Sequence, residues 1–328
     1  MIPKVEKIDF YVTGNIVWLA FFFLLMGCSM SPNSSSVTIA EQEKNGEAIS
    51  FLGKTFFRPE DDSTSFLQKD SLLQEANTIY QTDTNDLNSI IWYGRRLASM
   101  YRFRDAITIF SAGIIIHPEA PELYRHRGQL YIITRNLNAA IHDLSKAASL
   151  SMTRTIEIEP DAIPNKLDLP LTNLRFNIYY YLGLAWYLKG DDKKAIDAFS
   201  SCGPFAVNPD LSVIETYWLY LSFQRMGDKD SAVSLLSTVD PNDEIIENDA
   251  YLRTLLMHNA SLDVVDLNGI IADSITNPIE LYGIANWYTW RNRTAEASIF
   301  RYKILSSTDW TNIGYIAAEA DSSRLLVQ

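Results

Sequence analysis

Charged side chains in the first half of the chain offer the clearest binding chemistry. Residues 91–140 contain seven arginines and only three acidic residues, which gives this stretch a net charge of +4. The whole 328-residue chain carries −12, so the remainder sums to −16. A guanidinium group forms paired hydrogen bonds with a carboxylate. We therefore expect this stretch to bind an acidic partner or an acidic segment of the chain itself. The arginines are Arg95, Arg96, Arg102, Arg104, Arg125, Arg127 and Arg135.

Three carboxylates lie close together further along the chain, at Glu157, Glu159 and Asp161. Such a cluster could supply a general acid and a general base, or it could be a solvated acidic loop. A third interpretation fits the arginines better. Arg127 occupies a helix position where an apolar packing residue is expected, and a partly buried guanidinium requires a carboxylate partner. We predict that the acids at 157–161 fold back onto the arginines and clamp this segment. The arginines concerned are Arg127 and its neighbours Arg96 and Arg125.

Other kinds of chemistry are not indicated. The sequence contains no glycine-rich phosphate loop, no HExxH motif, no serine nucleophile elbow and no CxxC pair. Its four histidines do not have metal-ligand spacing, and two cysteines exclude a disulfide framework. We expect no cofactor, no metal site and no enzymatic activity. The sequence pI of about 4.8 argues against nucleic acid as a partner, because nucleic-acid binding depends on neutralising phosphates.

The arginines belong to a segment, residues 87–150, that repeats itself. Each copy has a glycine 12 positions before an alanine, at points where two packed helices approach most closely and only a small side chain fits. The 34-residue period and this spacing resemble those of tetratricopeptide repeat (TPR) proteins. The resemblance implies an all-α fold, an α-solenoid of helix–turn–helix units, and a function in binding. The matching positions are Gly94 and Gly128, Leu97 and Tyr131, Ala106 and Ala140, and Phe110 and Leu144.

Later parts of the chain carry the same 12-residue spacing more loosely. We predict four to five TPR units within residues 65–328, with a helix at each end of the stack as a cap. Residues 152–173 interrupt the helical pattern with three prolines and are predicted to be an inserted loop. Residues 240–278 are acidic and less regular, so the C-terminal repeats are expected to be degenerate. The later pairs are Gly183 with Ala195, Tyr220 with Ala232, and Ala285 with Ala297.

In TPR proteins the first helix of each unit faces a concave groove, where peptides or partner helices bind. Arginines and amides predominate at the first end of this predicted groove and aromatic side chains in its middle, and both are enriched at binding hot spots. Some of the aromatic side chains could instead pack only between neighbouring helices. The two-carboxylate clamp of chaperone-binding TPR domains is not reproduced residue for residue. We predict a groove suited to an acidic or C-terminal peptide, lined by Arg95, Arg125, His126, Gln129, Tyr180, Tyr181, Tyr187, Tyr217, Trp218, Arg225, Tyr282 and Trp290.

An apolar run of 12 residues, 16–27, precedes Cys28. Its length suits the core of a signal peptide and is short of the roughly 20 residues that span a bilayer. The string Leu25-Met26-Gly27-Cys28 resembles the lipobox of bacterial lipoproteins, whose cysteine becomes an acylated N-terminus. The resemblance implies a signal peptide at 1–27, lipidation of Cys28, and a tether and irregular lead-in at 28–64. Ser29 after the cysteine implies sorting to an outer membrane. An uncleaved signal anchor is the alternative.

Several strings also resemble a family of bacterial TPR proteins without an assigned biochemical role, among them IWYGRRLA (91–98), YRHRGQLYI (124–132), EIEPDAIPN (157–165) and GYIAAEAD (314–321). A lipobox followed by a TPR solenoid is similar in plan to NlpI-type envelope lipoproteins, which are adaptors for proteases and cell-wall hydrolases. These resemblances imply a membrane-tethered scaffold that binds proteins or peptides in the bacterial cell envelope. Two alternatives stay open. One is a fixed structural subunit of an outer-membrane assembly. The other is an enzyme or small-ligand protein with its site between the 157–161 acids and the Arg95–Arg135 cluster.

Overall fold

Helices joined by short turns make up most of the chain. The computed structural model describes residues 46–59, 63–160, 165, 167–259 and 276–326. Over these residues it contains thirteen α-helices, one short 3-10 helix and two small hairpins, so the prediction of an all-α solenoid is confirmed. The helices are α1 (Thr64–Thr82), α2 (Leu87–Ser99), α3 (Phe103–Ile116), α4 (Pro121–Ile133), α5 (Leu137–Ser151), α6 (Leu174–Lys189), α7 (Asp192–Ser200), α8 (Pro209–Met226), α9 (Lys229–Leu236), α10 (Asp249–His258), α11 (Pro278–Thr289), α12 (Thr294–Leu305) and α13 (Ile313–Leu325). The strands are β1 (Ala48–Ile49) with β2 (Thr55–Phe56), and β3 (Ile158–Glu159) with β4 (Thr172–Asn173).

Consecutive helices pack as pairs, α2 with α3, α4 with α5, and α6 with α7, and each pair packs on the next. The glycine of each repeat lies against a large side chain 16 residues later on the partner helix. A Cβ atom at Gly94 would come within 2.5 Å of the Phe110 ring, and one at Gly183 within 2.5 Å of the Phe199 ring. Carbon atoms do not approach so closely, so glycine is what allows the two helices to pack at this distance.

A residue with left-handed backbone geometry lies in each turn between the two helices of a unit, seven positions after the packing glycine or its equivalent. In the third and fourth units this residue is Gly190 or Gly227, with φ of 87° and 79°, which glycine adopts without strain. In the first two units it is Tyr101 (φ 56°) or Arg135 (φ 65°), where a Cβ atom makes the geometry costly. Both side chains contact the C-terminal part of the chain, and those contacts offset the strain.

The insertion separates α5 from α6 and returns to the start of α6 as a two-stranded hairpin. Ile158 pairs with Asn173 and Glu159 with Thr172 in antiparallel register. Asn173 then caps α6, because its side chain accepts a hydrogen bond from the backbone N–H of Phe176 at 3.0 Å. This arrangement carries the acidic residue Glu159 to the beginning of the third unit.

The C-terminal helix α13 returns to the middle of the solenoid. It packs on α11 and α12, as the predicted end cap would, and it also packs on α6. The Arg324 guanidinium donates to the carbonyl of Leu188 at 2.7 Å, and the Tyr282 hydroxyl donates to Asp321 at 2.7 Å. Helix α13 therefore lies along the side formed by the first helices of the units, where the groove was predicted.

The N-terminal hairpin β1–β2 packs on the same region. Phe56 stacks on Trp310, with ring centroids 4.8 Å apart. Arg135 forms an ion pair with Glu319 of α13, Nη2 to Oε2 at 2.6 Å, between side chains that are 3% and 1% exposed. The backbone N–H of Phe51 donates to the other oxygen of Glu319. We call Phe56, Arg135, Trp310 and Glu319 the closure junction, because they join the first and last elements of the described chain.

Several predicted features lie outside the described residues. They are the signal peptide at 1–27, Cys28, most of the lead-in at 28–64, Asp161 of the insertion, and residues 260–275 of the acidic region. Every described residue belongs to one compact unit, Ile39–Gln328. Of the helices that the structure describes, none combines the length and the apolar character needed to cross a membrane.

Candidate functional site

A cleft of about 430 Å³ opens beside α2 and α4, the first helices of the first two units. We call it the basic cleft, because Lys69, Arg95 and Arg125 line it. Four residues predicted for the groove are brought together here, since Arg95, Arg125, His126 and Gln129 all line it. Aromatic side chains form the rest of its walls, and Thr311 reaches it from the segment before α13. The aromatic lining is Tyr101, Phe103 and Phe110.

Helix periodicity places these polar groups. Arg95 and Ser99 lie one turn apart on α2, and Arg125 and Gln129 lie one turn apart on α4, so each pair shares a helix face. Helix α2 is fixed at its start by Asp86, whose side chain accepts from the backbone N–H of Ser89 at 2.7 Å. The two helices present their polar faces to the same cleft because they occupy equivalent positions in neighbouring units.

Arg125 is a buried cation, 7% exposed, and the insertion supplies its counter-ion. Its Nη2 lies 3.0 Å from Oε2 of Glu159. Its Nη1 donates to Oε1 of Gln129 at 2.9 Å and lies 2.8 Å from Nδ1 of His126. The guanidinium also lies over the ring of Tyr181, 5.1 Å from the centroid. The predicted return of the acidic insertion onto the arginines is therefore confirmed for Glu159 and Arg125.

His126 is neutral and has a defined tautomer. Burial lowers its pKa well below the usual range, and the positive charges of Arg125 and Arg95 lower the pKa further. Because an arginine can only donate, Nδ1 of His126 accepts from Arg125 and the ring proton is on Nε2. That Nε2 lies 3.3 Å from Oε1 of Glu159. Asn177 of α6 donates to the other oxygen of Glu159 at 2.6 Å, so three side chains face this carboxylate.

Arg95 contacts the same segment of the insertion from α2. Its Nη2 donates to the backbone carbonyl of Pro160 at 2.5 Å, and its guanidinium lies over the Trp92 ring, 4.5 Å from the centroid. Lys69 of α1 adds a third cation to the lining. Lys69, Arg95 and Arg125 against Glu159 leave a formal charge of +2 at the basic cleft.

Arg127 pairs with a different carboxylate and not with Glu157 or Glu159, the acids of the insertion that the structure describes, which corrects the prediction made for it. Its Nε and Nη2 form a bidentate pair with Asp143 of α5, at 2.6 and 2.9 Å, and its Nη1 donates to Ser111 of α3 at 2.9 Å. The guanidinium does have a carboxylate partner, as its position required, but the partner lies 16 residues later on the paired helix. That offset is the same as the one between Gly128 and Leu144, which pack against each other.

The predicted aromatic part of the groove lies in the interior of the protein. Tyr187, Tyr217, Trp218 and Tyr282 have no exposed area, and Tyr180 is 9% exposed. They contact one another: the hydroxyls of Tyr187 and Tyr282 are 2.8 Å apart, and Tyr217 meets Trp218 edge to face at 5.2 Å. Since they are buried, these five side chains do not face a partner in this conformation. The half-buried members of the predicted set are Tyr181 and Trp290.

Arg225 contacts the protein's own C-terminal helix. Its guanidinium lies 4.0 Å above the Tyr187 ring, its Nε is 3.2 Å from Asp192, and its Nη1 is 3.8 Å from Asp321 of α13. Tyr282 also binds Asp321. Helix α13 thus occupies the middle of the predicted groove with a carboxylate directed at an arginine. The part of the predicted groove that has an open cleft is its basic end.

The groups at the basic cleft suit the binding of an anion, since two guanidinium groups, an ammonium group and neutral N–H donors converge there. Over the described part of the chain, no three histidine, cysteine, aspartate or glutamate side chains are grouped as metal ligands. The cysteine in the described part of the chain is Cys202, which has a free and fully buried thiol. Burial raises the pKa of the Cys202 thiol well above its usual range. A thiol in this state is not activated as a nucleophile.

Sequence reasoning missed several residues that build the site. Lys69 belongs to the capping helix and Thr311 lies 186 positions after Arg125, so no local pattern connects them to the cleft. Asn177 lies on a largely apolar helix, and no motif or spacing in the sequence marks it as a residue of the site. Tyr101 did have one, because it occupies the turn position that Gly190 occupies in the third unit.

The helix pairs define an α-solenoid of the tetratricopeptide type. No family model matches the sequence, and no curated protein matches it. Among solved structures, a tetratricopeptide repeat protein from Parabacteroides merdae is 13% identical, with 73% of this chain and 88% of that chain covered and a TM-score of 0.45. YrrB, titled a TPR protein with an unusual peptide-binding site, is 12% identical over 71% and 92%, with a TM-score of 0.41. The MamA protein is 16% identical over 61% and 88%, also with a TM-score of 0.41. At these values the comparisons carry no argument about the site, which rests on its geometry.

Proposed function

We propose that the chain is a scaffold that binds acidic segments of partner proteins in the basic cleft. The observation that carries the proposal is the convergence of Lys69, Arg95 and Arg125 on one open cleft, in a chain with a net charge of −12. A positive cleft on a negative body attracts an acidic segment to one place, because the remaining surface repels it. Charge complementarity of this kind selects the orientation of the partner as well as its identity.

The lining fits a peptide better than a bare anion. A volume of about 430 Å³ lies at the lower end of the range for ligand sites, roughly 300–1,000 Å³, so it accommodates a few residues of an acidic chain end. Arg95 and Gln129 offer donors to carboxylates, while Tyr101 and Phe103 offer apolar surface for the rest of the chain. This division between polar anchors and aromatic walls is typical of peptide-binding surfaces.

A fluorescent peptide with a free C-terminal carboxylate and acidic last residues tests the proposal, by anisotropy, against the full-length chain in detergent. Arg95→Gln is expected to weaken binding roughly ten- to hundredfold, because one charged hydrogen bond is lost. The control is Arg96→Gln, which removes the same charge from the next residue of α2. Arg96 lines a different pocket, with Trp92 and Glu75, and that pocket is not the basic cleft. Equal losses in the two variants, or no binding to the unaltered chain, would contradict the proposal.

The second part of the proposal concerns location. We infer from the lipobox that Cys28 is acylated and tethers the scaffold to a membrane of the cell envelope, and from Ser29 that this is an outer membrane. Two or three acyl chains, at about 0.8 kcal/mol per buried CH₂ group, provide a stable anchor. Metabolic labelling with a fatty-acid analogue is expected to mark the unaltered chain and not Cys28→Ser. Labelling that persists in the variant would remove the lipid anchor from the account.

A fixed structural subunit of an outer-membrane assembly is the second candidate, and the closure junction favours it. Glu319 of the last helix binds Arg135 of the second unit through a buried ion pair and accepts from the backbone N–H of Phe51 in the N-terminal hairpin, which suits a rigid component. Pull-down from detergent-solubilised envelope separates the two. A scaffold is expected to recover several partners at less than one copy each, whereas a fixed subunit recovers one complex in a constant ratio.

A further inference from the structure

Glu159 holds the guanidinium of Arg125, which lines the basic cleft, in the way that a carboxylate of an acidic ligand would. Its Oε2 is 3.0 Å from Arg125 and 2.6 Å from Asn177, and its Oε1 is 3.3 Å from Nε2 of His126. The next residue, Pro160, accepts a hydrogen bond from Arg95 through its carbonyl. The segment Glu159-Pro160 thus contacts both arginines of the cleft, with a carboxylate on one and a backbone oxygen on the other.

The bonding between this segment and Arg125 is incomplete. Arg125 Nε is buried and has no hydrogen-bond partner within the described residues, and the buried Oε1 of Glu159 lies 3.3 Å from Nε2 of His126 without completing a hydrogen bond. A buried polar atom without a partner is unfavourable. A carboxylate of a bound ligand could replace that of Glu159 on Arg125. If this carboxylate adopted bidentate geometry on the guanidinium, it would satisfy the same donors more fully.

Hydrogen bonds rather than apolar packing hold the rest of the segment, among them one from the backbone N–H of Leu174 to the carbonyl of Glu157 at 2.9 Å. The strand that carries Glu159 and its partner strand are two residues each. Ile158 is 66% exposed and Met152, at the start of the insertion, is 70% exposed, so this described part of the insertion buries little apolar surface. Segments with few buried apolar contacts open at low free energy without unfolding of the whole domain. The insertion can therefore release Glu159 while the helix pairs stay intact.

We propose that Glu159 is an internal competitor that occupies Arg125, one of the three cations of the basic cleft, until an acidic segment of a partner displaces it. This inference rests on the proposed binding of acidic peptides. A partner must offer enough carboxylates to replace the Glu159 contact, so chains with a single isolated acid bind weakly and clusters of acids bind well. The insertion then sets a threshold for partner recognition, in addition to the preference set by the arginines themselves.

The insertion provides a matched pair of variants. Glu159→Gln removes the competing charge and keeps the side-chain size, whereas Glu157→Gln makes the same change two residues earlier. Glu157 pairs with Arg154 at 3.0 Å, between side chains that are 37% and 36% exposed, and it has no contact with Arg125. We expect Glu159→Gln to bind the acidic fluorescent peptide about tenfold more tightly, which corresponds to about 1.4 kcal/mol. We expect Glu157→Gln to bind as the unaltered chain does.

The outcomes separate the two claims. If the unaltered chain binds the peptide and Glu159→Gln binds equally or more weakly, the competitor is refuted while the proposed function stands. If neither protein binds, both fail. A further measurement applies to the unaltered chain and does not depend on a variant that folds. Saturating acidic peptide is expected to accelerate proteolysis within residues 152–173, and an amidated peptide with glutamine in place of glutamate is not. Protection of the insertion by the acidic peptide would overturn displacement.

Discussion

The closure junction offers the sharpest test of how the fold is held together. Glu319→Gln keeps the length of the side chain, but it removes the charge that balances Arg135, and its single carbonyl oxygen can accept from only one of the two donors, the Phe51 N–H or Arg135. Arg135 cannot regain water, because its side chain is 3% exposed. Burial lowers the pKa of Arg135, and the negative charge of Glu319 opposes that effect. The variant leaves a buried cation without its counter-ion.

Removing one partner of a buried pair costs roughly 3–5 kcal/mol, and since glutamine retains one of the two acceptor oxygens we expect about 3 kcal/mol. In a domain of this size each 1 kcal/mol moves the thermal midpoint by about 2–4 °C, so the midpoint should fall by about 6–12 °C. The control is Glu296→Gln, which breaks a pair with Arg293 whose side chains are 44% and 36% exposed. Ion pairs in water contribute little to stability, so we expect the midpoint of this variant to stay within a few degrees of that of the unaltered chain.

Differential scanning fluorimetry on the three proteins measures these shifts. If the thermal midpoint falls no further in Glu319→Gln than in Glu296→Gln, the closure junction does not stabilise the fold. The double variant Arg135→Met with Glu319→Leu adds a check on cause. It removes both charges, so we expect it to recover much of the loss, because no buried ion is left without a counter-ion.

Three further expectations concern the insertion, the helix pairs and pH. Arg125→Ala should speed proteolysis within residues 152–173, since Glu159 loses its counter-ion, whereas Arg127→Ala should not; limited proteolysis measures both rates. Gly183→Ala should destabilise by about 1–3 kcal/mol in urea denaturation, although alanine is the better helix former, because the new methyl group would lie 2.5 Å from the Phe199 ring. Glu215→Gln should have no effect on stability near pH 4 and should stabilise by about 1–2 kcal/mol near pH 8, measured as thermal midpoints at both values.

The sign of the pH effect follows from the burial of Glu215. Burial raises its pKa from 4.5 to about 7. Between these values the unfolded chain has released a proton that the folded chain keeps, so stability falls as pH rises through that window. Glutamine does not titrate, and its advantage is complete above pH 7. A Glu215→Gln effect of equal size at pH 4 and pH 8 would show that packing, not charge, is responsible.

Contrary outcomes for the other two expectations are equally clear. If Arg125→Ala and Arg127→Ala change proteolysis of the insertion to the same extent, the assignment of Glu159 to Arg125 loses its support. If Gly183→Ala is as stable as the unaltered chain, the two helices of the third unit can move apart without cost.

The helix pairs could be predicted from sequence because their packing is local and periodic. A glycine 12 positions before an alanine marks a close approach within one hairpin, and the Gly94 and Phe110 contact bears this out. The Arg127 prediction was wrong for a related reason. Its position does require a carboxylate, but the carboxylate is Asp143, at the same 16-residue offset that joins the packing residues Gly94 and Phe110, and not an acid of the insertion.

Long-range closure could not be predicted in the same way. Helix α13 lies in the predicted groove, where Asp321 pairs with Arg225 and Glu319 pairs with Arg135. No sequence pattern relates residues that lie so far apart in the chain. Tyr282 binds Asp321 of this helix, and both Tyr282 and its partner Tyr187 are buried, although aromatic residues are a type that suits a binding surface. At the basic end of the predicted groove, the insertion contacts Arg125 through one carboxylate and leaves the basic cleft open. The arginines and the amide that were predicted for this end therefore line an accessible cleft.

The most direct measurement of the central claim is where a bound acidic peptide lies. A photoreactive group placed two residues before the acidic end of the peptide, cross-linked to the full-length chain and mapped by mass spectrometry, reports that position. We predict adducts on residues that line the basic cleft, such as Lys69, Tyr101 and Phe103, which disappear when unlabelled peptide is added in excess. Adducts confined to the second helices of the units, α7, α9 or α12, with none at the cleft, would contradict the account.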